Sequence, residues 1–371
     1  MNGDQLIKQG VQKNLYGDYE GAITVFNEAI QLNSNLAEAY YHRGYSCLEL
    51  AEFNQAIADY QQVTKILKNS AKLAGNINFY LAKAFHNRGL AAFQCGDDQS
   101  AVTDINEALK LYPEFIAAYS NRGNILHILG KYTEAISDYN QAIQLNPHLA
   151  VAYHNRGNSR YALQDYQGAI ADYNQALEIN PNFGEAYYNR GLVMSHLQDY
   201  QGAIADFNQA IQQDPEDIQA YFERGLIYRT LQDYENAIQD YNQVLQINPT
   251  LPTVYGLRAN ARRHQKNHQG AIADINKLLQ LNPHLVEGYC DRAVSRRFLG
   301  DYNGALADYN RALQINPNLA AAYYARGEIY QHFGDIPAAI DDFQKSANLF
   351  DQQGNKLYYQ EIINLIAKIR K

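Results

Sequence analysis

Apolar and aromatic residues recur along most of this chain in pairs of short runs, and each run has the spacing of an amphipathic helix. In the most regular stretch, residues 150–183 (AVAYHNRGNSRYALQDYQGAIADYNQALEINPNF), one run covers 151–163 and the next covers 166–179, with a short polar segment between them. Pro181 follows the second run, and proline cannot continue a helix. The pattern therefore predicts a helical hairpin that ends just before Pro181.

This hairpin unit recurs with a period of 34 residues. Its arginine occurs at Arg43, Arg88, Arg122, Arg156, Arg190, Arg224, Arg258, Arg292 and Arg326. A fixed period of this length is typical of stacked supersecondary units that form one elongated body. The repeat predicts ten units, at residues 3–36, 37–70, 82–115, 116–149, 150–183, 184–217, 218–251, 252–285, 286–319 and 320–353.

The unit resembles the tetratricopeptide repeat. The residues that carry the resemblance in the fifth unit are Tyr153, Gly157, Ala169, Tyr173, Ala176 and Pro181. The resemblance covers nearly the whole chain and implies an all-α fold, an α-solenoid in which helix-turn-helix repeats form a right-handed superhelix. In that family, the variable face of the first helices lines a concave groove that binds extended peptides or other proteins. The resemblance implies the same use here.

Two positions of the unit depart from the family pattern together. The fourth position has Tyr or Phe where the family usually has tryptophan, and the seventh has Arg where it usually has leucine. The first copy has Gln9 and Val25 at its seventh and twenty-third positions. The other nine copies combine the Arg with an Asp at the twenty-third position: Asp59, Asp104, Asp138, Asp172, Asp206, Asp240, Asp274, Asp308 and Asp342. Because both residues are missing from the same copy, we predict nine Arg–Asp bridges, each inside one hairpin.

Two segments fall outside the regular units. An insertion at residues 71–81 separates the second and third units, where the arginine spacing rises to 45 residues. Residues 65–74 contain good helix formers and Gly75-Asn76 offers a C-cap, so we expect the second helix of that hairpin to overshoot. The insertion is either a local kink or a docking element. Residues 354–371 are predicted to form a capping helix that covers the apolar end of the array.

Composition and motifs exclude several classes of function. The formal charge of -8 disfavours a general nucleic-acid binder, which normally has a strong positive excess. Three widely spaced cysteines indicate neither a disulfide framework nor a zinc site. Phosphate-binding loops and hydrolase or kinase signatures are absent from the sequence, so we expect no enzyme activity, no metal and no cofactor. No apolar run is long enough to span a membrane, and we expect a cytoplasmic protein.

A row of carboxamides marks the first candidate binding site. The sixth position holds asparagine in four successive units, and the ninth position adds two more: Asn87, Asn121, Asn155 and Asn189, with Asn124 and Asn158. A carboxamide both donates and accepts, so such a row can bind a peptide backbone whatever its side chains. The alternative is that these side chains only satisfy neighbouring groups or water. Lys83 matches part of a carboxylate clamp known in the family, but the other two cations of that clamp are missing.

A basic stripe marks the second candidate site. Arg229, Arg263 and Arg297 all occupy the twelfth position, in successive units on the variable face. Arginine suits carboxylates and phosphates because its guanidinium forms bidentate hydrogen bonds. The stripe therefore favours an acidic or phosphorylated segment of a partner. The alternative is a solvated basic face that only balances nearby acids.

These observations favour a non-catalytic protein–protein interaction scaffold or adaptor, which binds an extended peptide or a partner protein in its groove. A second hypothesis is a regulatory or substrate-selecting subunit of an enzyme carried on a separate chain, for example an assembly factor. RNA binding is a third hypothesis, which the negative net charge disfavours.

Overall fold

The computed structural model describes residues 1–67 and 71–370, with side chains in the second range from residue 76 onward. Within these ranges every regular element is an α-helix. The helices are α1 (Gly3–Leu15), α2 (Tyr19–Leu32), α3 (Ala37–Glu49), α4 (Phe53–Ile66), α5 (Ala71–Gln94), α6 (Asp98–Leu111), α7 (Ile116–Ile128), α8 (Tyr132–Leu145), α9 (Ala150–Ala162), α10 (Tyr166–Ile179), α11 (Gly184–His196), α12 (Tyr200–Gln213), α13 (Ile218–Thr230), α14 (Tyr234–Ile247), α15 (Pro252–His264), α16 (His268–Leu281), α17 (Val286–Phe298), α18 (Tyr302–Ile315), α19 (Ala320–His332), α20 (Ile336–Gln352) and α21 (Lys356–Ile369).

The chain forms two compact units, Met1–Val193 and Met194–Lys371. In the first unit, α1 to α10 form five hairpins, and each second helix also packs against the first helix of the next hairpin. In the second unit, α13 to α20 form four hairpins of the same kind, and α21 packs against α20. The fold is therefore an all-α array of stacked helical hairpins.

The turn inside each hairpin has a local cause in the sequence. A residue in the left-handed region ends the first helix, and it is glycine in some hairpins, such as Gly130 (φ 74°), and another residue in others, such as Gln164 (φ 62°). The next residue is often an aspartate that caps the second helix. Asp165, for example, accepts a hydrogen bond from the backbone N–H of Gly168 at 3.0 Å. These two residues fix where each second helix begins.

Alanine and glycine form the seam between the two helices of a hairpin. The alanine at the twentieth position is fully buried in all ten copies. The repeated glycine of the first helix is required mainly by an aromatic ring: a Cβ at Gly157 would lie 2.8 Å from Cε1 of Tyr173. At Gly89 a backbone atom is nearest, since a Cβ there would lie 2.9 Å from the carbonyl oxygen of Ala101. Neither Gly157 nor Gly89 can therefore take a side chain unless its neighbours shift.

The predicted Arg–Asp bridges are confirmed for eight pairs. Nε and Nη2 of the arginine donate to the two oxygens of the aspartate; for Arg156 and Asp172 these distances are 2.9 and 2.5 Å. The other confirmed pairs are Arg43–Asp59, Arg88–Asp104, Arg122–Asp138, Arg224–Asp240, Arg258–Asp274, Arg292–Asp308 and Arg326–Asp342. The ninth pair, Arg190 with Asp206, has its members in different units and stays a prediction.

The same arginines also bind the preceding hairpin, through an asparagine that the sequence analysis does not identify. Nη1 of Arg156 donates to Oδ1 of Asn140, which belongs to the hairpin before it, at 2.6 Å. This contact recurs in eight copies, with Asn27, Asn106, Asn140, Asn174, Asn208, Asn242, Asn276 and Asn310. One guanidinium thus holds both its own hairpin and the previous one, and we call this set of contacts the arginine clamp.

The positions of these asparagines contain a signal that could have revealed the clamp. Asparagine occupies the twenty-fifth position in eight of the ten units, and the exceptions are Gln61 and Gln344. Gln61 stands before the insertion, and Gln344 stands in the last unit, which no further repeat arginine follows. In the hairpin after the insertion, Nη1 of Arg88 donates instead to Asn54, at 2.8 Å. Asparagine is absent only where the regular spacing to the next arginine is broken.

The aromatic residue at the fourth position belongs to the same arrangement. In all nine copies the guanidinium carbon lies 5.3 to 5.8 Å from the centroid of this ring, as Arg156 does over Tyr153. Such a contact attracts a cation to the negative face of the ring. The aromatic residue at the fourth position and the arginine at the seventh, which both depart from the family pattern, therefore contact each other.

The expected overshoot of the second hairpin's second helix is wrong. Helix α4 ends at Ile66, and the insertion instead lengthens the first helix of the next hairpin, so that Gly75 and Asn76 lie inside α5. Ile77 and Leu81 of this extension are buried, in a cluster that includes Tyr60 and Val63 of α4. Because these apolar residues continue the helical spacing of α5, the added segment joins that helix.

Gly157 and Gly256 have different surroundings, and alanine substitutions at the two positions should change the stability in opposite directions. Gly157→Ala should destabilise the first unit by about 1–3 kcal/mol, because the new methyl group overpacks against Tyr173. Gly256→Ala, inside α15, should stabilise by about 0.5–1 kcal/mol, because its nearest neighbour would lie 3.7 Å away and alanine is the better helix former. Thermal unfolding of both variants checks this. Changes of the same sign would contradict the packing described here.

The arginine clamp gives a second prediction. Asn140→Ala removes the Arg156 contact between two hairpins and should lower their stability by about 0.5–1.5 kcal/mol. Gln344→Ala is the matched control, because it changes the same repeat position where no repeat arginine follows. Hydrogen exchange of α7 to α10 should lose protection in the first variant only. Equal protection in both would show that the Asn contact does not couple the hairpins.

Candidate partner-binding face

The predicted asparagine ladder lies on the first helices of the first unit. Asn87, Asn121, Asn155 and Asn189 belong to α5, α7, α9 and α11, and each is half-buried. All four engage in hydrogen bonds with neighbouring side chains. The ladder therefore consists of two hydrogen-bonded groups, one between α5 and α7 and one from α7 through α9 to α11.

Two buried histidines organise this network, and the sequence analysis does not identify them. Asn121 Nδ2, which can only donate, lies 2.9 Å from His86 Nε2. His86 Nε2 must therefore accept, and its Nδ1 carries the proton and donates to Asn87 Oδ1 at 3.1 Å. The neutral imidazole thus relays a hydrogen bond from α7 to α5.

His154 repeats this arrangement two hairpins later. Its Nδ1 donates to Asn155 Oδ1 at 3.1 Å, and its Nε2 accepts from Asn189 Nδ2 at 2.8 Å. The two asparagines also donate to the ninth-position residues, Asn155 to Asn124 at 2.9 Å and Asn189 to Asn158 at 3.1 Å. The six predicted asparagines are thereby brought together on one face. Histidine at the fifth position of the third and fifth units was the signal in the sequence.

Part of the hydrogen-bonding capacity of the ladder stays open. Among the described residues, the Nδ2 group of Asn87 has no acceptor, and Oδ1 of Asn121 and of Asn189 has no donor. Each of these three side chains is held through one of its two polar groups, and the other group has no partner among the described residues. The ladder therefore offers one unbonded amide nitrogen, with two N–H donors, and two unbonded carbonyl oxygens.

Lys83 lies near the ladder but already has a counter-charge. Its Nζ is 3.6 Å from a carboxylate oxygen of Glu49, in the first helix of the preceding hairpin. Both side chains are about one-third exposed, so the pair is a weak surface ion pair. Lys83 contributes a partly neutralised charge to this face.

The basic stripe of the second unit is unequal. Nη1 of Arg263 lies 2.6 Å from Oδ1 of Asp291, and Nη1 of Arg297 lies 2.5 Å from Oε2 of Glu328. Both acids belong to the first helix of the following hairpin. Arg229, half-buried in α13, has no acidic partner among the described residues. Two of the three predicted arginines thus pair with nearby acids, and the charge of Arg229 has no acidic partner among the described residues.

Burial sets the electrostatics of both faces. Desolvation lowers the pKa of His86 and of His154 below the ordinary value of 6.5, against a smaller opposing effect of the neighbouring asparagine. Desolvation also raises the pKa of Glu223, which occupies the sixth position in α13. The carboxyl of Glu223 thus replaces the carboxamide found at the same position in the first unit.

The described residues contain neither a metal-binding cluster nor a membrane-spanning helix. Across residues 1–67 and 71–370, no three His, Cys, Asp or Glu side chains lie close enough together to hold a metal ion. In the same part of the chain, no helix combines the length and the apolar character that a membrane crossing requires.

The histidine relays predict a pH dependence of stability. Since the folded-state pKa of His154 is lowered, the unfolded chain binds more protons below pH 6.5, and folding should weaken as the pH falls from there toward the folded-state pKa. Hydrogen exchange of α9 and α11 between pH 7 and pH 5 should show this loss of protection, and His154→Gln should reduce it. His148→Gln, at an exposed position, is the control. An unchanged pH profile in His154→Gln would contradict the relay.

Comparison with known proteins agrees with the repeat architecture. A family model described as TPR repeat matches residues 16–50, 123–164, 157–198, 195–232 and 297–332. Two models described as tetratricopeptide repeat match residues 218–251, and 37–68 with 82–115. Together these matches span more than half of the chain. A search of curated proteins gives no match.

Solved structures that match this chain include the following three. A tetratricopeptide repeat protein from Parabacteroides merdae is 22% identical, with 67% of this chain and 98% of that chain covered and a TM-score of 0.47. PilF of Pseudomonas aeruginosa is 19% identical, with 56% and 94% covered and a TM-score of 0.48. YrrB, described as a TPR protein with an unusual peptide-binding site, is 20% identical, with 50% and 95% covered and a TM-score of 0.44. By its repeats and the family models that match them, this chain belongs to the tetratricopeptide repeat family.

Proposed function

We propose that this chain is a non-catalytic adaptor that binds an extended segment of a partner protein on the asparagine ladder of its first unit. Its family supplies a fold that serves as a scaffold for protein–protein interaction. The observation that carries the proposal is the open donor of Asn87 and the open acceptors of Asn121 and Asn189.

A peptide backbone is the ligand that this chemistry fits best. An extended backbone presents N–H and C=O groups whatever its sequence, and carboxamides can bind both. The inner hydrogen bonds to His86 and His154 hold the asparagines in place before a ligand arrives, so little side-chain entropy is lost on binding. The ladder would supply affinity for the peptide backbone, and the residues around the ladder would select the side chains of the bound peptide.

The proposed partner also has an acidic or phosphorylated segment that binds Arg229 of the second unit. Arg229 is half-buried, and no acidic side chain among the described residues pairs with it. It is therefore the most available cation of the stripe. Arg263 and Arg297 would first have to release Asp291 and Glu328. Binding at Arg229 therefore costs no internal ion pair, and this residue should dominate the recognition of an anion.

Affinity purification from the native cell extract, followed by mass spectrometry, tests the proposal. The triple variant Asn87→Ala, Asn121→Ala and Asn189→Ala should weaken partner binding by about tenfold or more, at roughly 1 kcal/mol for each hydrogen bond. The control is Gln141→Ala with Gln144→Ala, which removes exposed carboxamides from α8. For the anion site, Arg229→Gln should reduce binding and its salt dependence more than Arg263→Gln.

Three outcomes would count against the proposal. Equal losses in the triple variant and in the control would show that the ladder is not the site. An enzyme that co-purifies in fixed ratio with all variants would favour a regulatory subunit. A retained species that is nuclease-sensitive and released by salt would favour RNA binding.

A further inference from the structure

The C-terminal end of the second unit contains an aromatic cavity outside the two faces described above. Helices α19, α20 and α21 surround a space of about 550 Å³. This volume falls within the range of roughly 300–1,000 Å³ that is typical of ligand pockets. Its lining includes Tyr324, Phe350, Tyr358, Glu361, Ile362 and Leu365.

Three aromatic side chains dominate the walls. The rings of Phe350 and Tyr358 stack with their centroids 5.1 Å apart and their planes 24° from parallel. Tyr358 nevertheless stays 51% exposed, so this stack is open to a ligand. Tyr324 stands on α19, and burial raises the pKa of its hydroxyl, with a further contribution from the charge of Glu361. Because Glu361 and Tyr324 line the same cavity, the carboxylate and the aromatic wall can contact one ligand.

The cavity has one charged lining residue, and that charge is not compensated. Glu361 takes part in no ion pair among the described residues. The nearest other acid and base that act on Tyr324, Glu328 and Arg297, are paired with each other at 2.5 Å. A purely apolar ligand would remove water from Glu361 without replacing its hydrogen bonds, and an anion would be repelled. Glu361 is itself exposed to solvent, and the lining favours a ligand that brings a cation on an apolar stem.

We propose that this cavity binds an arginine side chain from the partner segment, with its guanidinium over the aromatic rings and hydrogen-bonded to Glu361. The arginine clamp of this chain combines the same three parts, a guanidinium, a Tyr or Phe ring and a carboxylate. Arginine fits better than lysine because its planar group stacks on a ring and binds a carboxylate at the same time. The inference rests on the proposed function only in that the arginine comes from a bound protein.

Saturation-transfer NMR on the full chain tests the cavity without the partner. The probes are Nα-acetyl-arginine amide and Nα-acetyl-citrulline amide, which have the same shape but differ in charge. The arginine probe should bind at the cavity and the citrulline probe at least about threefold more weakly. Glu361→Gln should remove most of this difference, and Tyr358→Ala should weaken the arginine probe about threefold or more.

Asp351→Asn is the matched control, because it removes one exposed acid from the end of α20, outside the lining. It should leave the binding of both probes unchanged. Equal binding of the two probes, no binding of either, or equal losses in Glu361→Gln and Asp351→Asn would each overturn the proposal. Capture of the partner by the asparagine variants is a separate measurement. The cavity proposal can therefore be contradicted while the proposed adaptor function is supported.

Discussion

The arginine at the seventh position of nine of the ten repeats is the group on which the rest of the structure depends. Its donors bind a buried aspartate in the same hairpin and an asparagine in the hairpin before it, and its plane covers an aromatic ring. A buried carboxylate that loses its partner costs about 3–5 kcal/mol, so the arginine cannot leave without destabilising the hairpin. Because one planar group makes all these contacts, it sets both the pairing of two helices and the register between neighbouring hairpins.

Much of the fold could be predicted from the sequence, because the repeat supplies its own comparison. The joint absence of Arg and Asp from the first copy is enough to assign the bridge to a single hairpin. The same reasoning, applied to Gln61 and Gln344, would have assigned the asparagine contact. The extension of α5 was missed because Gly75-Asn76 resembles a helix end locally, whereas buried Ile77 and Leu81 continue the helix.

The candidate site was less predictable, because hydrogen bonding depends on geometry that the repeat does not encode. The asparagines were predicted as a row, but the role of His86 and His154 follows only once the donor and acceptor atoms are placed. The counter-charges of Arg263 and Arg297 were visible in the sequence as Asp291 and Glu328. They occupy different repeat positions, the sixth and the ninth, so no common spacing linked them to the arginines.

The arginine clamp also bears on how such a chain changes in length during evolution. An extra copy of residues 150–183, inserted after itself, contains Arg156 and Asp172 for its own hairpin and Asn174 for the hairpin that follows. Each junction that this duplication creates is therefore complete, with no compensating substitution. Deletion of any one unit from the fourth to the ninth likewise joins an asparagine to the next arginine. The array is free to gain or lose hairpins in steps of one unit, whereas a duplicated second unit would bring Gln61 to a new junction.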